Sequence, residues 1–167
     1  HSQINDVAVL TDHQHSNMAN YLGRWCSTNA KPNSFHILQP KNGSYMGTAD
    51  AVYQNLDFVH RYGADVVLIL AGDHVYKMGY HKMLAFHEHV KADVSVGVAS
   101  VPIEQAHRFG IVTVDTEGRI VDFVEKPRIP KSNLASMGIY VFNRQVLAER
   151  LVEDATQPGS PHDFGYA

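Results

Sequence analysis

The chain has 167 residues, a length that fits one domain and can bury a core. An apolar fraction of 44% and a charged fraction of 19% are those of an ordinary soluble globular protein. A net charge of −3 with neutral histidines excludes the strongly basic face of a general nucleic-acid binder, but not a small anionic substrate, for which a few cations suffice. Cys26 is the only cysteine, so no intrachain disulfide can form and a reducing cytoplasm is the simplest compartment. No apolar run is long enough to cross a bilayer, and the polar residues His1 to Asp6 do not read as a signal peptide.

In chain order, Val7-Ala8-Val9-Leu10 reads as a buried strand that ends in Thr11-Asp12-His13. Ser16 is placed to cap a helix carrying Met18, Ala19, Tyr21 and Leu22, with a stop near Gly23. Cys26 to Ser34 has loop composition, and Phe35 to Leu38 is a candidate strand. A helix is expected from about Thr48, with Val52, Leu56 and Val59 at helical spacing. Val66 to Leu70 is uninterrupted and rich in β-branched residues, which suits a central parallel strand covered on both faces. A helix from about Tyr80 to Lys91 follows, with Met83, Leu84 and His87 on one face. Val94, Val96 and Val98 alternate with small or polar residues, as in a strand. Ile111 to Asp115 and Arg119 to Val124 flank Thr116-Glu117-Gly118 and read as a hairpin. Met137 to Phe142 is a further strand and Arg144 to Val152 a short helix. The alternation predicts an α/β fold with a mixed, mostly parallel sheet flanked by helices. The chain starts on a strand and stops without a polar tail, so it is expected to be part of a larger protein.

Among single motifs, Leu70-Ala71-Gly72-Asp73-His74 is the sharpest. A buried strand ends in a glycine and a carboxylate, and α/β sheets bind ligands outside the carboxyl ends of their strands. Asp73 is thus placed for a metal such as magnesium or for a ribose, although a turn aspartate at this position is as good a reading. Glu125-Lys126-Pro127 ends the second hairpin strand. Strand alternation would send Glu125 and Lys126 to opposite faces. Lys126 suits a phosphate, but taken alone an exposed edge-strand lysine that resists aggregation is the favoured reading. Tyr45-Met46-Gly47-Thr48-Ala49-Asp50 enters a helix whose N-terminus favours anions, with Thr48 alternatively a simple cap. Gly110 and Ser136 could meet sugar hydroxyls or merely turn the chain and satisfy the backbone. The paired histidines His13/His15 and His87/His89 are spaced two apart, which does not put both rings on one helix face. His87-Glu88-His89 is expected to be a partly solvated helix segment. The zinc-protease pattern, the P-loop and the nucleophile elbow are all absent from the sequence.

In combination these segments say more than any of them alone. Gly47-Thr48-Ala49-Asp50-Ala51-Val52, Leu70-Ala71-Gly72-Asp73-His74-Val75-Tyr76-Lys77, Phe109-Gly110, Phe123-Val124-Glu125-Lys126-Pro127, Ala135-Ser136-Met137-Gly138-Ile139-Tyr140-Val141-Phe142 and His162-Asp163-Phe164-Gly165 stand in the order found in one family. Over nearly its whole length the chain resembles the ADP-glucose pyrophosphorylases, or glucose-1-phosphate adenylyltransferases. The resemblance implies a Rossmann-like nucleotidyltransferase fold, incomplete at both ends, with residues 1–167 part of a single catalytic domain. It implies transfer of the adenylyl group of ATP to glucose 1-phosphate, for glycogen or starch synthesis, by a cytoplasmic homotetramer under allosteric control, with no nucleic-acid or membrane partner. By the same resemblance Asp73 looks like the catalytic aspartate that binds Mg2+ with the nucleotide phosphates, and Lys126 like the grip on the sugar phosphate. Glu125 resembles the neighbour that holds sugar hydroxyls. Tyr45, Gly110 and Ser136 match positions lining the glucose or ADP-glucose site, Gly47 and Thr48 fall on the nucleotide side, and Arg61 falls where some bacterial members bind an effector.

The chain departs from that pattern in four ways. It lacks the family's glycine-rich, arginine-containing triphosphate loop, and it lacks the second metal aspartate and the C-terminal β-helix. The loop from Lys126 to Ser136 is also shorter than in many members. As given, the chain is expected to be inactive alone. A dTDP- or UDP-glucose pyrophosphorylase and a non-catalytic regulatory subunit of the same family are the competing readings.

Overall fold

The computed structural model describes residues 4, 6–12, 20–24, 34–74 and 77–165. The expected cap at Ser16, the loop at Cys26, and Val75 and Tyr76 lie outside these residues. The chain forms two compact units, one of residues up to Gly63 together with Ala148–Gly165, the other of Ala64–Leu147. No helix among the described residues is long and apolar enough to cross a membrane.

In the first unit, strands β1 (Val7–Leu10) and β2 (Phe35–Leu38) pair in parallel, with Val7 opposite Phe35 and Leu10 opposite Leu38. Residues 20–24 are helical, in keeping with the expected helix around Tyr21 and Leu22. The helix expected from Thr48 is broken in two, α1 (Thr48–Tyr53) and α2 (Leu56–Tyr62). The break has a local cause. The Asn55 side chain donates to the Ala51 carbonyl at 2.9 Å, the acceptor that its own backbone N–H would use in a continuous helix. That N–H turns instead to Val52 O, three residues back. The ring of His36 packs edge-on against Phe58 and Tyr62, and the Tyr62 hydroxyl lies 2.7 Å from its Nε2.

Past α5 (Arg144–Thr156), the chain returns to the start of α1 through a buried polar network. The Asp154 carboxylate, 7% exposed, accepts from Ser160 Oγ at 2.5 Å and pairs with His162 Nδ1 at 2.8 Å. This fixes His162, whose carbonyl accepts from the backbone N–H groups of Ala49 and Asp50 at 2.9 and 3.1 Å. Burial pushes the Asp154 carboxyl up, but the hydrogen bonds from Ser160 and His162, with the charge of a protonated His162, outweigh it and hold the carboxyl below its ordinary value.

The second unit is built on β3 (Val66–Leu70), β4 (Val94–Ser100), β5 (Gly110–Val114), β6 (Ile120–Glu125) and β7 (Leu134–Asn143). Helices α3 (Tyr80–Val90) and α4 (Ile103–Ala106) connect them. The pairings are mixed across the chain, but the sheet of this unit is not the mostly parallel one expected. β3–β7, β4–β7, β5–β6 and β5–β7 are all antiparallel. The strand–helix–strand passage β3–α3–β4 does give β3 and β4 a common direction, but β7 runs between them. Nor is β3 covered as its composition suggests. Its residues are half-buried, Leu70 is exposed, and among the described residues it pairs with β7 alone. Ile139 and Val141 of β7 and Met83 of α3 are buried together, with Val66, Leu68, Met78, Leu84 and Met137 packed around them.

The segment His87 to His89 is partly solvated, as expected, but through Glu88 and His89, which are exposed, while His87 is buried. It is 2% exposed, with Nδ1 at 2.9 Å from Ser95 Oγ and Nε2 at 3.2 Å from Asn143 Oδ1. The Asn143 side chain donates its own N–H to Ala92 O, so its oxygen is the acceptor and His87 Nε2 carries the proton. Both ring nitrogens of a buried helix residue are thereby satisfied.

One irregularity organises this unit. Along β4, Gly97 faces Ile139 while the next residue, Val98, faces Ser136, so Met137 and Gly138 bulge out of β7. Ile139 to Asn143 pair with β3, and Leu134 and Ala135 with β5, on the edge of β7 away from β4. β3 therefore ends and β5 begins on either side of the bulge. Gly138 takes the left-handed conformation at φ 63°, and a Cβ there would lie 2.7 Å from the Ala71 methyl.

Two outcomes are expected in the full-length protein. Asp154→Asn should lower stability by about 1–3 kcal/mol near neutral pH. Because the folded carboxyl lies below its unfolded value of about 3.9, its stabilisation is complete above that value and is lost as pH falls through the folded one. The gap between wild type and variant in urea midpoints should therefore narrow as pH falls below about 4. Gly138→Ala should cost about 1–3 kcal/mol through the left-handed backbone and the contact with Ala71, read in the same unfolding experiment.

Candidate active site

Four of the expected site residues converge on the bulge of the second unit. Asp73 follows the carboxyl end of β3 in a turn formed by residues 71–74. Gly110 opens β5 and pairs with Glu125 at the close of β6, and Ser136 stands at the bulge itself. The strands bring them to one place because β3 and β5 both run antiparallel to β7, β3 ending opposite Ile139 and β5 beginning beside Ala135, which leaves between them only the stretch around Ser136 to Gly138.

The turn bearing Asp73 is pinned to the bulge at two points. Ala71 N–H donates to Gly138 O at 2.9 Å, and the His74 ring bonds Met137 O through Nδ1 at 2.8 Å. The Asp73 carboxylate itself is 83% exposed, and His74 Nε2 stands 3.8 Å from its Oδ1. Ser136 Oγ accepts from Gly138 N–H at 3.3 Å and lies 3.3 Å from the Tyr140 hydroxyl.

At the hairpin end, the absence of a side chain at Gly110 is used. A Cβ there would sit 2.7 Å from Glu125 Oε2 and 2.8 Å from the Phe123 ring, so the glycine makes room for the carboxylate. Glu125 is only 17% exposed, whereas Lys126 is 64% exposed with Nζ 3.3 Å from Glu125 Oε1. The expected opposition of Glu125 and Lys126 fails because the strand stops at Glu125. Lys126 adopts φ 45°, a left-handed conformation rare for a lysine and rarer still before proline. That turn breaks the alternation and brings the ammonium back beside the carboxylate. A non-glycine residue held there costs on the order of 1–3 kcal/mol, and such strain gathers at functional sites. Lys126 N–H, bonded to Phe109 O at 3.1 Å, anchors the turn.

The remaining expected residues belong to the first unit. Tyr45 OH accepts from Asn55 Nδ2 at 3.0 Å. Burial pushes the Tyr45 phenol up against the lowering effect of that bond, with Asp12 and Asp50 adding to the rise, so Tyr45 stays a neutral hydroxyl able to donate. The loop carrying it is tied down by Asp50 and Gln54, both buried. Asp50 Oδ2 accepts from Met46 N and Gln54 Nε2 at 2.8 Å each, and Gln54 Oε1 accepts from Lys41 N at 2.8 Å. Gly47 and Thr48 do not present an open helix N-terminus. A Cβ on Gly47 would meet the Pro161 carbonyl at 2.6 Å, and Thr48 Oγ1 accepts from Phe164 N at 3.1 Å. With the His162 carbonyl on Ala49 and Asp50, the donors expected to face a ligand are engaged by the chain's own segment Pro161 to Phe164. Arg61 is 74% exposed and lies 4.0 Å from Asp57 one turn earlier, a surface arrangement.

Two features were not singled out from the sequence. His74 reads there as a residue beside Asp73, and only the fold across β7 gives its ring a partner. Thr11 Oγ1 and Asp12 Oδ1, at the carboxyl end of β1, are buried with no hydrogen-bond partner among the described residues. They present acceptors where a parallel pair of strands opens to ligands. A strand ending in two polar residues was the available signal.

No group of three or more His, Cys, Asp or Glu among the described residues could hold a metal ion. A single exposed carboxylate such as Asp73 still suits magnesium, which takes one or two carboxylates and fills its shell with water and substrate phosphate oxygens.

The sequence of the chain is similar to those of several curated proteins. The glucose-1-phosphate adenylyltransferase of Desulfitobacterium hafniense (strain DSM 10664 / DCB-2) is 45% identical over 171 residues, covering 98% of this chain and 43% of the relative. The enzyme of the same name from Thermotoga maritima is 47% identical, with 98% of this chain and 40% of the relative covered. That from Bacillus thuringiensis (strain Al Hakam) is 46% identical, with 98% and 46% covered. The chain thus spans less than half the length of these curated relatives. A model of the nucleotidyl transferase family matches residues 1–167, and the chain belongs to that family.

Proposed function

We propose that this chain carries the sugar-phosphate part of a glucose-1-phosphate adenylyltransferase site, which makes ADP-glucose and pyrophosphate from ATP and glucose 1-phosphate. The carrying observation is the Glu125–Lys126 corner. A strained lysine is held 3.3 Å from a largely buried carboxylate, over a glycine that leaves room for it. That corner offers an acceptor for sugar hydroxyls and a cation for the phosphate of the same ligand. The shared name of the relatives supports adenylyl transfer over a dTDP- or UDP-glucose reaction. A regulatory subunit without catalysis is disfavoured because both Asp73 and Lys126 are present.

The reaction needs no protein nucleophile. A phosphate oxygen of glucose 1-phosphate forms a bond to the α-phosphorus of ATP, the bond from that phosphorus to the β-phosphate oxygen breaks, and pyrophosphate leaves. Lys126 holds the attacking phosphate and offsets the repulsion between two anions. Glu125 accepts from sugar hydroxyls, and Ser136 offers a hydroxyl group to the same substrate. The Asp73 carboxylate is the group that would hold Mg2+, which when bound neutralises charge on the nucleotide phosphates. The resemblance carries with it a cytoplasmic homotetramer under allosteric control, with Arg61 the candidate effector contact in this segment.

Steady-state kinetics on the full-length protein test the assignment. Lys126→Ala should raise KM for glucose 1-phosphate about 10- to 100-fold with a smaller change in kcat, since it removes a charged hydrogen bond made to bound substrate. Asp73→Asn should lower kcat on the order of a hundredfold with KM for glucose 1-phosphate little changed. Equal losses in both parameters for both variants would contradict the division of roles.

A further inference from the structure

We propose that His74 is a positioning residue for Asp73, acting by hydrogen-bonding the turn that bears the carboxylate to the bulge of β7. The inference rests on the reading of Asp73 as the metal-holding carboxylate.

Beyond Leu70 the ladder between β3 and β7 has run out, because Met137 and Gly138 leave the regular register. Two consecutive carbonyls of the bulge nevertheless receive donors from the turn. Gly138 O takes the backbone N–H of Ala71, two residues before Asp73. Met137 O takes the ring of His74, the residue immediately after it. The aspartate is therefore bracketed, and the second bracket is a side chain doing what a ladder N–H does within a sheet.

A carbonyl oxygen only accepts, so His74 Nδ1 carries the proton whatever the charge of the ring. Nε2 lies 3.8 Å from Asp73 Oδ1, too long for a hydrogen bond. The link from His74 to Asp73 thus runs through the shared backbone turn and the β7 bulge. The close approach of the turn at Ala71 is also built in, since a Cβ at Gly138 would lie 2.7 Å from the Ala71 methyl, while the His74 ring packs at ordinary contact distance from the same position. An exposed carboxylate on a turn has many orientations to lose, and fixing its neighbour removes that cost before the nucleotide arrives.

Isosteric replacements separate this from other roles. Asparagine carries an amide N–H near the position of Nδ1, glutamine near that of Nε2, and leucine carries neither. In the full-length protein, kcat and both KM values would be measured. Mn2+ affinity would be read separately, without turnover, by electron paramagnetic resonance with an unreactive ATP analogue. His74→Leu should lower kcat and weaken Mn2+ binding by about 10-fold or more, with KM for glucose 1-phosphate within about twofold of wild type. His74→Gln should resemble it, and His74→Asn should recover to within about threefold of wild type. Should His74→Leu fail to fold, the contrast between His74→Asn and His74→Gln decides alone. The proposal is overturned if Asn and Gln are equally impaired, or if neither kcat nor Mn2+ affinity moves in any of the three. Asp73→Asn serves as the control on the underlying reading: unchanged kcat and Mn2+ affinity there would sink the role of Asp73 itself, whereas impairment there with no Asn-over-Gln recovery at His74 sinks only the positioning role.

Discussion

Two extra residues in β7 are the constraint on which the second unit depends. One edge of β7 is taken by β4, and the other is shared by β3 along Ile139 to Asn143 and β5 along Leu134 and Ala135. At the bulge of Met137 and Gly138, β3 is halted at Leu70, β5 starts from the far side, and two carbonyls are turned toward the turn of residues 71–74. The cost is a left-handed Gly138 and close contacts at two glycines, since a Cβ on Gly97 would lie 3.0 Å from that of Ile139. Directly after the bulge, Ile139 and Val141 are buried together with Met83 of α3.

The second corner of the site shows the same economy. β5 and β6 place Glu125 over Gly110, and a single strained residue, Lys126, then reverses the direction that strand geometry would give its side chain. Pro127 prevents the ladder from continuing, and the N–H of Lys126 is satisfied by Phe109 O. A charged pair is thus created from neighbouring residues that a regular strand would keep apart.

The first unit corrects a common inference about helix N-termini. Gly47 and Thr48 have the composition of an anion-binding start, yet the donors there are turned inward to a chain segment more than a hundred positions later. The Asp154 carboxylate, itself buried and bonded to Ser160 and His162, fixes the segment that takes them.

Much of this was legible without coordinates. The period-two pattern of β4, the turn at Thr116-Glu117-Gly118, and the apolar stripe Met83, Leu84 and His87 all came out as read, because local geometry dictates them. The positions of Asp73 and Lys126 at strand ends were equally plain, and the order of the blocks carried the family. The split at Asn55, the bonds of His87 to Ser95 and Asn143, the corner at Lys126 and the antiparallel run of β7 between β3 and β4 were not. Each depends on a partner distant in sequence or on a side-chain bond that competes with the backbone. Sequence periodicity reports which face of an element is apolar. Which strand will lie beside it, and therefore which carbonyls and side chains meet at Asp73, is decided only when β7 closes over β3, β4 and β5.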